Sequence, residues 1–116
     1  MDNSSPSIVQ DLNLIGTVFS VLRDNEEKIA DLSIFQFEDF ILKELRKNNT
    51  KTKLIDQNEH LTLLDNTAAI MFISANHNVY DERKHMLDLL NKHNIKFGYV
   101  VNNALYPQIN FARFIA

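Results

Sequence analysis

From residue 8 the apolar positions recur at helical spacing. Ile8, Leu12, Ile15, Phe19 and Leu22 make one face, and Val9, Leu14, Val18 and Val21 widen it until little polar surface remains. Start signals precede the run: Ser5-Pro6 offers an N-cap with proline at the first helical position, and Ser7 with Gln10 offers a capping box. A helix apolar nearly all round is either central in a core or half covered by a partner. In a chain this short, it points to a partner or a second copy. Gly16 inside the helix costs about 1 kcal/mol relative to alanine, and a close helix crossing would account for it.

The polar stretch Asp24 to Asp31 predicts a connection. A second helix then starts at Ser33, which forms an S-x-x-Q box with Gln36. Phe37, Phe40, Ile41 and Leu45 face inward, and Arg46-Lys47-Asn48-Asn49 suits a helix C-terminus. Beyond it the period shortens. Leu54-Ile55 and Leu61, Leu63 and Leu64 flank the polar turn Asp56 to Glu59 and predict a β-hairpin. Ala68 to Ala75 is a strand apolar on both faces, so it belongs in the centre of a sheet. Asn78 or Asp81 caps a third helix with Val79, Met86, Leu87 and Leu90 turned inward. Lys96 to Val101 forms the next strand. Strand, helix and strand between Thr67 and Pro107 make a βαβ crossover. After a turn at Tyr106-Pro107, the apolar tail Ile109 to Ala116 predicts a short edge strand or helix packed on the core.

These elements define an α/β fold: a small mixed sheet in the order α-α-β-β-β-α-β with a short C-terminal element. Residues 1–116 read as one domain, without repeats or low-complexity blocks. Composition narrows the chemistry. Apolar residues are 45% of the chain and charged residues 23%, the balance of a globular protein with a real core. The formal charge of −3 does not imply a polyanion partner. The chain has no cysteine, which excludes disulfides, zinc–thiolate sites and thiol nucleophiles and fits a cytoplasmic, intracellular setting. The first residues lack a signal-peptide pattern, and no apolar run approaches the roughly 20 residues that span a bilayer, so no membrane association is expected. With Gly16 and Gly98 as the only glycines, neither GxxxxGK[ST] nor GxGxxG can be written.

Candidate sites are few. Asp81 and His85 share a helix face with His77 nearby, but metal ligation needs three or four converging groups, so no metal and no cofactor are expected. Asp56, Glu59 and Asp65 gather carboxylates around the hairpin, where turn roles account for them. Lys43, Arg46, Lys47, Lys51 and Lys53 form a basic cluster able to meet phosphates, yet helix-end charge complementation explains Arg46 and Lys47, and no aromatic platform accompanies them. Asn102-Asn103 closes the second crossover strand, where an open α/β sheet places ligands. An asparagine there can pair with a purine edge or simply end the strand.

The run NVYDERKHMLDLLNKHNIKFGYVVNNALYP resembles the C-terminal part of the arsenite-pump and tail-anchored-protein-targeting ATPases, with Asp65 and Thr67 matching the lead-in. That resemblance covers about forty residues, roughly 67–107, and implies a parallel crossover. It also implies an adenine contact at Asn102, between Val101 and the downstream Pro107. The family's phosphate loop, switch aspartates and metal-binding residues have no counterpart, so it does not imply hydrolysis. Helix, three strands, helix, strand is also the element order of restriction-endonuclease-like nucleases, whose core strands carry acids beside a lysine. Here the central strand reads AIMFISA, with neither acid nor lysine, so an active nuclease is not expected.

The expected function is therefore a non-enzymatic protein–protein interaction module, or a small subunit of an assembly, acting as a homodimer or on a protein partner. Leu14, Val18, Val21, Phe111 and Phe114 are the expected interface. The alternatives are an inactive nucleotide-binding relative of the ATPases, or an inactive nuclease-like domain meeting nucleic acid through Lys43 to Lys53.

Overall fold

Ser7 opens the first helix as the spacing predicts. Its hydroxyl accepts from the Gln10 backbone N–H, and Gln10 returns a bond to the Ser7 backbone. The structure is a computed structural model that describes residues 7–105 and 109–116, so the proposed Ser5-Pro6 cap and the Tyr106-Pro107 turn lie outside the described residues. Helix α1 spans Ile8–Asp24. The polar connection contains one further helical turn, α2 (Glu26–Ile29), which the sequence reading did not include. Glu26 and Glu27 complement its amino end, and Ile29 drops into the core. Helix α3 (Ile34–Lys47) starts on the predicted Ser33–Gln36 box.

Strands β1 (Thr52–Asp56), β2 (Leu61–Leu64) and β3 (Ala68–Phe72) form an antiparallel meander. Asn78 accepts from the Tyr80 backbone N–H and opens a 3-10 turn, Val79–Glu82, that runs into α4 (Arg83–Lys92). The chain then returns as β4 (Phe97–Val101), parallel to β3. That completes the predicted crossover. The C-terminal element is a strand, β5 (Phe111–Ile115), antiparallel to β4. The sheet order is β1-β2-β3-β4-β5, an α/β fold with a mixed sheet.

Burial explains why β3 and β4 are apolar throughout. Every residue of both strands is buried, because each strand faces helices on two sides. One face packs Ile70, Phe72, Phe97, Tyr99 and Val101 beneath α1 and α3. The other packs Met71, Val100, Ala112 and Phe114 against Val79, Met86, Leu89 and Leu90 of the 3-10 turn and α4. Leu14, Val18 and Val21 sit in the first of these cores, and Phe111 and Phe114 lie in the two cores on opposite faces of β5. All five were expected at an interface; their side chains are instead interior, because α1 turns Leu14, Val18 and Val21 onto the sheet and both faces of β5 are covered at Phe111 and Phe114.

The two glycines have opposite environments. A Cβ on Gly98 would lie 2.8 Å from Met86 Sδ and 2.9 Å from Leu90 Cδ1, so α4 can sit on β4 only because the position is bare. Nothing lies within 4 Å of a Cβ on Gly16, so the expected close helix crossing does not occur there. Gly98→Val should therefore destabilise by about 1–3 kcal/mol through overpacking. Gly16→Ala should stabilise by about 0.5–1 kcal/mol. Urea denaturation of both variants checks the pair, and equal signs would contradict the packing described.

Candidate functional site

The α1 helix carries one acid on its buried face. Asp11 is fully buried. A lone carboxylate there would cost several kcal/mol if unpaired, but β4 and β5 bring two partners to it. Tyr99 and Arg113 are register neighbours on these strands and point to the same face. Arg113 Nε donates to Asp11 Oδ2 at 2.9 Å, and its terminal nitrogen reaches the same oxygen. The Tyr99 hydroxyl donates to Asp11 Oδ1 at 2.6 Å and lies 3.0 Å from the Asp11 carbonyl oxygen. Burial, with the bond to the Asp11 carboxylate, holds the Tyr99 phenol far above the ordinary tyrosine range. The group is an anchor: it ties the start of the chain to its last strand and sets how α1 is rotated on the sheet.

That rotation leaves an apolar flank outside. With Asp11, Leu14 and Val18 pointing inward, helical geometry puts Ile8, Leu12, Ile15 and Phe19 on the side of the helix towards β5. Phe19 shows the direction, since its ring lies 4.6 Å from that of Phe111. Ile8, Leu12 and Phe19 are about half exposed, as are Ile109 and Ile115 at either end of β5. Beside this flank runs the open edge of the sheet. Asn102 N–H donates to the Asn110 carbonyl and Ala116 N–H to the Lys96 carbonyl, so the even-numbered residues of β5 bond to β4. The alternation of an antiparallel ladder then turns the N–H and C=O groups of Phe111, Arg113 and Ile115 outward. No backbone group among the described residues takes them.

The opposite edge is built differently. β1 is flanked and crossed by Lys51 and Lys53, and its register shifts between Leu54 and Asp56. Charges and irregular pairing are the usual protection of a strand edge. β5 has neither: its one charge, Arg113, is committed to Asp11.

The other candidate residues do not converge. In the basic cluster, Lys43 pairs with Asp39 at 2.9 Å, Lys47 pairs with Glu44 at 3.3 Å, and Arg46 donates to the Thr52 hydroxyl. Three of its five cations are thus engaged along α3 and at β1. Asn102 is buried: its Nδ2 donates to the His77 carbonyl and its Oδ1 accepts from the Ala104 N–H. One N–H and one lone pair of its amide are thus engaged in bracing the strand end. Asn103 is likewise spent on the Ile29 and Leu32 carbonyls, at 2.7 and 2.9 Å.

Asp56 and Asp65 accept backbone N–H groups of Glu59 and Lys51, as turn carboxylates do. Two carboxylate–histidine pairs stand at the carboxyl end of the sheet, Glu38 with His60 at 3.2 Å and Glu59 with His85. Among the described residues, no group of three or more His, Cys, Asp or Glu is placed to hold a metal.

Sequence reasoning missed Asp11 and Arg113. The signal was present: a lone acid on the apolar face of a helix, and a lone arginine inside FARFI. The exposed flank Ile8, Leu12 and Phe19 was not separable from the inward face, because the helix is apolar on both.

Comparison with known proteins adds no relative: no family model matches the chain, and neither does a curated protein or a solved structure.

Two measurements test the anchor. Arg113→Met leaves the Asp11 carboxylate buried beside Tyr99 alone and should cost about 3–5 kcal/mol. Asp11→Leu combined with Arg113→Met removes both charges and should recover most of that loss, since Tyr99 keeps the Asp11 backbone carbonyl as acceptor. A double variant as unstable as the single one would contradict the account. The second concerns pH. An unfolded tyrosine ionises near 10.0, and the folded chain holds the Tyr99 proton more tightly. The stabilisation is therefore complete below that pH and is lost as pH rises above it. The stability difference between wild type and Tyr99→Phe should shrink above pH ~10, at a slope approaching 1.4 kcal/mol per pH unit. Denaturation curves across that range read the slope.

Proposed function

We propose that this chain is a non-enzymatic protein-interaction module that docks along the free edge of β5 and the adjoining flank of α1. One observation carries the proposal: a strand edge without protective charge, unpaired among the described residues, lies beside a run of half-exposed apolar side chains, Ile8, Leu12, Phe19, Ile109 and Ile115. Strand addition to such an edge supplies main-chain hydrogen bonds, and the neighbouring apolar surface supplies specificity. Asp11, Tyr99, Asn102 and Asn103, polar side chains able to act on a ligand, bond instead to the chain itself. No helix among the described residues is long and apolar enough to cross a membrane. The cysteine-free composition supports a cytoplasmic setting.

Ile8→Asp with Leu12→Asp tests the surface at little cost to the fold, because both side chains are more than half exposed. Affinity capture from cells that make the protein should lose its bound proteins by at least about tenfold with this variant, a change of some 1.4 kcal/mol or more. Leu54→Asp, on the β1 edge, should leave capture unchanged while circular dichroism shows all forms folded. Equal capture by wild type and the flank variant would end the proposal.

A further inference from the structure

We infer that the occupant of this surface is a second copy of the chain, paired through β5 in an antiparallel, two-fold arrangement. The inference rests on the interaction function proposed above and adds the identity and register of the partner. It follows from the symmetry of the edge itself. The outward backbone groups belong to three alternate residues, Phe111, Arg113 and Ile115, centred on Arg113. An antiparallel pair about a two-fold axis through Arg113 sets Phe111 against Ile115 of the other copy and Arg113 against its own equivalent. In that register every outward N–H and C=O of the three residues is satisfied reciprocally. A two-fold contact of this kind closes on itself and leaves a continuous sheet of ten strands, five from each copy, with both remaining edges formed by the protected β1.

The side chains fit the same axis. Asp11 bonds to both Tyr99 on β4 and Arg113 on β5, which centres α1 over the gap between these strands. With strands about 4.8 Å apart, the two copies of α1 then lie about 10 Å from each other across the axis, the separation of packed helices. The flank each presents to the other is Ile8, Leu12, Ile15 and Phe19. The exposed parts of Ile8, Leu12, Phe19, Ile109 and Ile115 amount to roughly 500 Å², and with the backbone of the strand edge added they approach the ~600 Å² per partner at the lower end of stable interfaces. Charge is compatible as well. Each Arg113 is held by its own Asp11, so the axis brings together two neutral pairs instead of two bare cations.

Sedimentation equilibrium or light scattering of the full chain, over a series rising to about 100 μM, tests the inference well above a micromolar dissociation constant. The expected mass is twice the 13.5 kDa of one chain. Leu12→Lys should shift the population to monomer by disrupting the helix contact. Ile115→Pro should do so by removing an outward N–H that β4 does not use. Leu54→Lys on the β1 edge should leave the dimer intact. A wild-type chain that stays monomeric throughout overturns the inference, as does a dimer that survives both Leu12→Lys and Ile115→Pro. A monomer whose captured proteins are still lost with Ile8→Asp and Leu12→Asp would reject the second copy while keeping the docking surface. A monomer whose capture is also unaffected would reject both.

Discussion

The contact among Asp11, Tyr99 and Arg113 is the constraint on which the rest of the molecule depends. A carboxylate with no solvent exposure can exist only where its partners are already in place. Those partners are 88 and 102 residues away along the chain. Hydrophobicity alone does not set the rotation of α1, since apolar residues surround most of the helix and several rotations would bury similar area. Only one rotation pairs Asp11. The side of α1 left outside is a consequence of that pairing.

The loops at the carboxyl ends of β3 and β4 occupy the position where α/β sheets bind ligands. In this chain they are braced. Asn102 holds the loop that leads to α4, through the His77 carbonyl, and Asn103 holds the connection between α2 and α3 through the Ile29 and Leu32 carbonyls. Amide side chains that could read a base satisfy instead the backbone groups that irregular segments leave open, which buried carbonyls require in any case. The open surface lies on the side of the sheet, at β5, and not at this end.

Local elements were legible because their determinants are local. Both Ser-x-x-Gln boxes start the helices where they stand in the chain, and the Asp56 to Glu59 turn sits between two apolar runs and makes a hairpin. The doubly apolar segments Ala68 to Phe72 and Phe97 to Val101 became the fully buried parallel pair. The interface residues were not legible in the same way. Leu14, Val18 and Val21 share a helix with Ile8, Leu12 and Phe19, and every one of these residues is apolar, so periodicity cannot say which set faces inward. Phe111 and Phe114 posed the same difficulty in a strand whose two faces are both covered.

The sequence by itself determined the element order, the helix starts, the crossover and the central strands, because capping, turn chemistry and hydrophobic period act over a few residues. Only the tertiary structure decided the rotation of α1, the place of β5 at an open edge and the inward turn of Asn102 and Asn103. Each of those depends on groups that meet across long separations, where the desolvation of one carboxylate or amide selects among packings that the apolar pattern leaves equal.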